Sequence, residues 1–402
     1  MRVSRRSLLA VVAALPATGV RAQAGADWAA TLAAARGQSV RFNAWGGDDR
    51  TNAFIAWAGE QVGRRFGVTV THVRLRDTAD AVQRVIAERG AGRTTEGGSV
   101  DLLWVNGPNL ANLKRQSLLF GPFADRLPSF ALVDQQGKPA TVVDFTLPVE
   151  GLAAPWLMAQ FVYVYDSARM PNPARTLPEM LAQATARPGR IVHPHARNFT
   201  GATFLKQALV SLASDQSVFT RPVETAPYEA AARPLWEWYR ALRPHLWRRG
   251  ATFPLDAPQA HQLLGDGEAD LTCSFNPADA SGQIAAGRLP ASVRTMVLTG
   301  GTIGNASFVA IPINATAKAG AMVLAEFLLS PEAQAHAADE RVLGQPTVLD
   351  IARLSAADRA RFDALPRGIA TLPPAALSPS LPEPHPTWMT KVTEDWLRLV
   401  QG

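Results

Sequence analysis

The chain has 402 residues and one cysteine, Cys273. An intramolecular disulfide is therefore excluded, although export would permit one. No cysteine stands directly after the leading segment, so a lipoprotein-type anchor is not expected. Cys273 sits in an apolar strand pattern over 269–274, which fits a buried structural thiol rather than a nucleophile. After the N-terminus, no apolar run approaches the roughly 20 residues that a membrane helix needs. There is no dense basic tract interleaved with aromatics, so nucleic acid is not an expected partner. Also missing are a G-x-S-x-G elbow, an H-E-x-x-H pair and a G-x-x-x-x-G-K-[ST] loop. No catalytic residue and no cofactor is assigned, and the chain is not read as an enzyme. His193 and His195 stand two apart, but no further ligands are evident, so no metal site is assigned. The sequence has no internal repeat of the kind that builds a scaffold.

What is present begins with an address. Arg2, Arg5 and Arg6 precede a short apolar run over 8–15, Pro16 closes it, and Val20-Arg21-Ala22 offers small residues for cleavage after Ala22. Residues 1–22 therefore read as a signal peptide, and Ser4 to Leu9 resembles the twin-arginine form. The mature chain is expected to be soluble in the periplasm. Basic residues number 40 and acidic residues 34, a formal +6. Four of the arginines and no acid lie in the first 22 residues, so the rest carries only +2. A composition of 47% hydrophobic and 18% charged residues fits a globular protein. The length suggests two domains.

The chain is organised around 151–167. From Phe161, the residues Phe161, Tyr163 and Tyr165 point one way and Val162 and Val164 the other, which predicts a strand buried on both faces. Pro155 is expected to halt regular pairing just before it. Upstream, strands at 39–44, 68–74 and 100–105 alternate with helices at 51–66, about 78–90 and after Asn106-Gly107-Pro108. This order predicts a parallel sheet covered by helices. Downstream, Thr176-Leu177-Pro178-Glu179 is a capping box. A helix opens at Asn198, others run near 228–242 and from Asp256 to Gly265, and strands lie at 269–274 and 293–298. A glycine-rich stretch at 300–304 precedes a strand at 307–311 and a helix at 317–329. The tail is proline-rich over 372–386 and ends in an amphipathic helix.

Residues 301–334, GTIGNASFVAIPINATAKAGAMVLAEFLLSPEAQ, resemble the closing segment of periplasmic solute-binding proteins of ABC importers, of the extracellular solute-binding (type II) fold. Phe42 to Gly47, Asp101 to Gly107 and Asn198 to Leu209 are similar to its YnjB-like branch. The resemblance implies an α/β fold of two lobes with a ligand cleft at the hinge. Lobe one would be 23–155 plus 301–402, and lobe two 156–300. It also implies a small-molecule ligand and delivery to permease subunits in the inner membrane, driven by a cytoplasmic ATPase. A monomer is the expected state.

In open α/β sheets, ligands sit beyond the carboxyl ends of strands. That rule points to Trp45 and Asp48 after the first strand, Trp104 and Asn106 after the third, and Trp156 at the crossover. In lobe two it points to Asn198, Thr200, Thr203 and Asn276, and at the return to Asn305 and Ser307. Tryptophans can stack on a ring or meet a cation, Asp48 can pair with a cation, and the helix start at 198–203 suits an acidic group. The expected ligand is aromatic or cationic, of thiamine- or polyamine-like chemistry. The alternatives are an anionic or metal ligand, or an exported cofactor-dependent enzyme or hydrolase.

Overall fold

The computed structural model describes residues 27–401. The signal peptide and its cleavage after Ala22 lie outside that range.

The strands follow the alternation of apolar and polar residues. They are β1 (Ser39–Trp45), β2 (Thr69–Leu75), β3 (Leu102–Val105), β4 (Val143–Asp144), β5 (Leu147–Pro148), β6 (Ala153–Gln160), β7 (Val162–Asp166), β8 (Leu271–Ser274), β9 (Val293–Met296), β10 (Thr302–Ala310) and β11 (Ser380–Leu381). The first lobe is built on a sheet in the order β2-β1-β3-β10, with β6 and β11 also pairing β10. Strands β1, β2 and β3 run parallel, and β10 is antiparallel to β3 and β6. The parallel part needs helical crossovers, and the sequence supplies them. The helix Asp49–Phe66 buries Phe54, Ile55, Ala58 and Val62 against the sheet. The large apolar side chains among these stabilise the lobe by about 1.5–3 kcal/mol each. Asp48 caps this helix, and Gly67 ends it at φ +67°.

The chain leaves this sheet at Phe161, whose N–H donates to the Ile303 carbonyl at 2.7 Å. One residue later it enters the second sheet, where β7 lies between β8 and β9 with both pairings antiparallel. The two faces separate as expected. Phe161, Tyr163 and Tyr165 join one apolar core, and Val162 and Val164 join another. Cys273 is fully buried in β8, where burial pushes its thiol far up. Pro155 does not halt pairing. Strand β6 runs through it, with Ser307 opposite Leu157 and Phe308 opposite Pro155, so Trp156 is passed over as a bulge. The returning β10 starts at Thr302, earlier than the predicted 307, because Gly304 to Ala306 pair with Gln160 to Met158.

Part of the tail packs on the cores that hold β7. Ala370 packs with Val162 and Val164. Trp388, Val392 and Trp396, one turn apart on the helix Pro386–Gln401, are buried in the core of the second lobe. The proline-rich segment thus carries the chain back across the cleft a third time. At 368–370 it bonds both lobes: Gly368 N–H donates to Glu340 at 2.7 Å, and Ala370 N–H donates to the Ser281 hydroxyl at 3.1 Å.

Candidate solute site

The expected site residues divide by what their side chains already do. Asp48 accepts from the Thr51 N–H and hydroxyl, both at 3.0 Å, and serves as a helix cap. Asn198 likewise caps Phe199–Leu212 through the Thr200 N–H. The Thr203 hydroxyl donates to the Phe199 carbonyl at 2.8 Å, inside its own helix, and Thr200 is buried in the same helix. Trp156 is fully buried and packs against Phe42, Phe54 and Trp104, so it belongs to the core. Trp104 leans edge-on against it, at 4.8 Å between ring centroids. Trp45 closes β1 half-buried. Ser307 is buried at the β10 irregularity. Asn276 donates to the Leu343 carbonyl at 2.7 Å, tying the second lobe to the first. Asn106 sits at the N-cap of Gly107–Arg115 without a capping side-chain bond.

Asn305 is the expected residue that leads to a chemical cluster. Its amide donates to Glu383 Oε1 at 2.9 Å, and Glu383 Oε2 accepts from Lys206 Nζ at 2.5 Å. Lys206 projects from Phe199–Leu212, and its ammonium lies 4.5 Å from the Phe145 ring centroid and 4.9 Å from that of Phe199. Phe145 follows β4 on the first-lobe side, and Phe199 opens a second-lobe helix. The same ammonium therefore touches rings from both lobes. Such cation–π contacts strengthen as water is excluded. Phe275 continues the apolar wall, edge-on to Phe199 at 5.2 Å.

Asp144, next to Phe145, accepts from the Gly107 N–H at 2.5 Å. Gly107 has φ +56°, and a Cβ there would lie 3.0 Å from the Phe145 ring, so only glycine lets this loop approach both groups. Burial pushes the Asp144 carboxyl up to about 8, against the pull of the Gly107 N–H, and the charge of Glu383 adds to the rise. Burial lowers Lys206 and raises Glu383, and each opposes the shift of the other. Lys206 is 0% exposed and Glu383 5%. Among the described residues, Asp144 Oδ1 and Asn305 Oδ1 are buried acceptors without a hydrogen-bond partner.

A second polar crossing joins the lobes. Arg50, in the first turn of Asp49–Phe66, donates to Asp279 Oδ1 at 2.7 Å. Asp279 also receives the Ser274 hydroxyl at 2.9 Å and the Gln283 amide at 3.2 Å, with His261 Nδ1 3.4 Å away. Burial pushes this carboxyl up, but His261, Arg50 and Ser274 more than offset it and hold it below its usual range. A Cβ at Gly282 would sit 1.9 Å from Arg50 Nη1, so any side chain there would displace the guanidinium.

Sequence reasoning missed Asp144, Phe145, Lys206, Glu383, Arg50 and Asp279. One signal was available. Lys206 is the only charged residue in FTGATFLKQALVSL, a helix buried from Thr200 to Val210, and a buried lysine must find a partner. Elsewhere, His193 is fully buried between the Pro194 carbonyl and the Tyr239 hydroxyl, and burial lowers its pKa to about 4. His195 instead faces Trp396.

Two α/β lobes joined by a crossover at Phe161 and a return at Thr302 are the architecture of solute-binding proteins. The chain belongs to the bacterial extracellular solute-binding protein family, which matches residues 57–361. It is 40% identical to Protein YnjB of Escherichia coli K12 over 371 residues, covering 92% of this chain and 93% of that protein. In fold it is similar to the spermidine/putrescine substrate-binding protein PotD of Streptococcus pneumoniae, with a TM-score of 0.63 at 13% identity over 90% of this chain and 99% of that one. It is also similar to the periplasmic binding protein AfuA of Actinobacillus pleuropneumoniae, with a TM-score of 0.62 at 12% identity over 90% and 99%. The family and these neighbours are solute-binding proteins rather than enzymes. No described helix is long and apolar enough to cross a membrane.

Proposed function

We propose that this chain, exported to the periplasm and cleaved after Ala22, captures a small aromatic or cationic organic solute between its lobes. It delivers that solute, as a monomer, to inner-membrane permease subunits driven by a cytoplasmic ATPase. Its role is binding, with no catalytic step. The observation that carries this reading is the Lys206 ammonium held on Glu383 between the faces of Phe145 and Phe199. A cleft that holds one organic cation in this way has the chemistry to hold another. Phe145 and Phe199 come from different lobes, so a solute lying against both favours the apposed arrangement over an open one, which differential contact requires. Asn106 and Asn305 flank the same place and supply neutral hydrogen bonds. Trp45 and Trp104 lie further along the strand ends and contribute less.

The relatives leave the ligand open. The fold neighbours include proteins named for spermidine and putrescine, for fructose-6-phosphate and for GABA. That chemical spread shows how little the fold restricts the ligand. A thermal-shift screen against a metabolite panel, followed by calorimetry on the hits, tests the proposal. Aromatic or cationic solutes of thiamine- or polyamine-like chemistry are expected among the hits, and Phe199→Ala is expected to weaken them. A panel in which only anions or sugars bind contradicts the ligand class.

A further inference from the structure

Resting on the site proposed above, we infer that the solute is a singly charged organic cation with at least two N–H donors, which bond Asp144 Oδ1 and Asn305 Oδ1 beside the Phe145 ring. The first argument is a count of charge. Three ionisable side chains meet here: Asp144, Glu383 and Lys206. Lys206 is committed to Glu383 at 2.5 Å. One carboxyl, Asp144, is left over, and because burial holds its proton up to about pH 8, a bound cation takes the place of that proton. Lys114 borders the same small void as Asp144 but is committed to Glu150, at 3.1 Å, and to the Pro148 carbonyl. A monocation brings this cluster to neutrality. A diamine or triamine brings one or two ammonium groups more than the acids can match, and burying an unmatched charge is costly.

The second argument is hydrogen-bond polarity. Asp144 is 4% exposed and Asn305 3%, and the atom without a partner on each is an acceptor oxygen. Asn305 commits its amide N–H to Glu383, and Asp144 commits Oδ2 to the Gly107 N–H. Each orientation is thereby fixed: Asn305 Oδ1 takes a donor, and Asp144 Oδ1 takes one once its carboxyl has given up its proton. An anionic solute offers no positive charge and would meet an ionised Asp144 as a like charge. An ammonium or amidinium supplies both bonds and its charge together.

Calorimetry with benzamidine, 2-phenylethylamine, putrescine, spermidine and phenylacetate tests the inference. At least one of the two monocations is expected to bind, with putrescine, spermidine and phenylacetate at least about tenfold weaker, given what an unmatched buried charge costs. Asp144→Asn keeps the shape and the Gly107 bond but removes the charge. It is expected to weaken the bound monocation about 30-fold, as loss of a charge-assisted hydrogen bond implies. The monocation inference is overturned if a polyamine or phenylacetate binds tightest, if neither monocation binds, or if Asp144→Asn leaves affinity unchanged. Phe199→Ala and Asn305→Ala separate the two levels of the argument. If the tightest probe is a polyamine and both variants weaken it, the site stands and the charge count falls. If neither variant affects the tightest probe, the site itself falls.

Discussion

The two polar crossings of the cleft look alike at first, since each joins the lobes through a buried cation and a carboxylate. They differ in how completely the carboxylates are matched. Asp279 has Arg50, Ser274 and Gln283 as donors, with His261 beside it, and is held ionised below its usual range. Asp144 has one backbone donor and is pushed up to about 8. A saturated carboxylate can only fasten the lobes. A carboxylate with an unmatched oxygen can still bind something. On the proposed reading the first crossing acts as a clasp, with its unmatched atoms on Arg50 and His261 rather than on the carboxylate, and the second as the recognition element.

The largest expected effect strikes the recognition crossing. Lys206→Met strands Glu383 in a buried site and is expected to cost about 3–5 kcal/mol in denaturant unfolding, whereas Lys206→Met with Glu383→Leu recovers most of that loss. A double variant as unstable as the single one contradicts the pairing. Next comes Asp144→Asn in the solute-free protein. The Asp144 pKa is raised on folding, so the stability it allows is full below about pH 4, the unfolded value, and is lost as pH rises through about 8. Asparagine escapes that loss. The variant is expected to be more stable by on the order of 2–5 kcal/mol at pH 8, with the gain vanishing toward pH 4. A gain independent of pH breaks the comparison.

On the clasp, Arg50→Ala is expected to leave Asp279 less well matched and to loosen the lobes. Small-angle scattering should show a larger radius of gyration, and unfolding should lose about 2 kcal/mol, since this pair is only partly desolvated. If the radius is unchanged, Arg50 does not fasten the lobes. The smallest effect is expected at Trp45→Ala, less than threefold on affinity, or about 0.6 kcal/mol. A loss there as large as that at Phe199 would move the site toward the end of β1.

Much of this was legible in the sequence because local physics wrote it there. The alternation from Phe161 to Tyr165 placed each side chain in its correct core. The capping box at Thr176 and Glu179 formed as the spacing implies. Asn305 was singled out because strand ends and returns are where ligands meet open sheets. The partners of Asn305 were not legible, since 78 residues separate it from Glu383, and Lys206 lies 177 from the same carboxylate. Glu383 sits in a proline-rich tail that reads locally as a linker, and its position depends on the terminal helix docking on the second lobe. Trp156 misled for a related reason. Its position beside the crossover suggested a cleft, but β6 is covered on both faces and turns that side chain into the core.

The most direct test is a crystal structure of the protein with its tightest calorimetric ligand. The account predicts a solute touching Phe145 from one lobe and Phe199 from the other, with a nitrogen about 3 Å from Asp144 Oδ1. A solute seated elsewhere, with Asp144 and Asn305 still facing no donor, would contradict it.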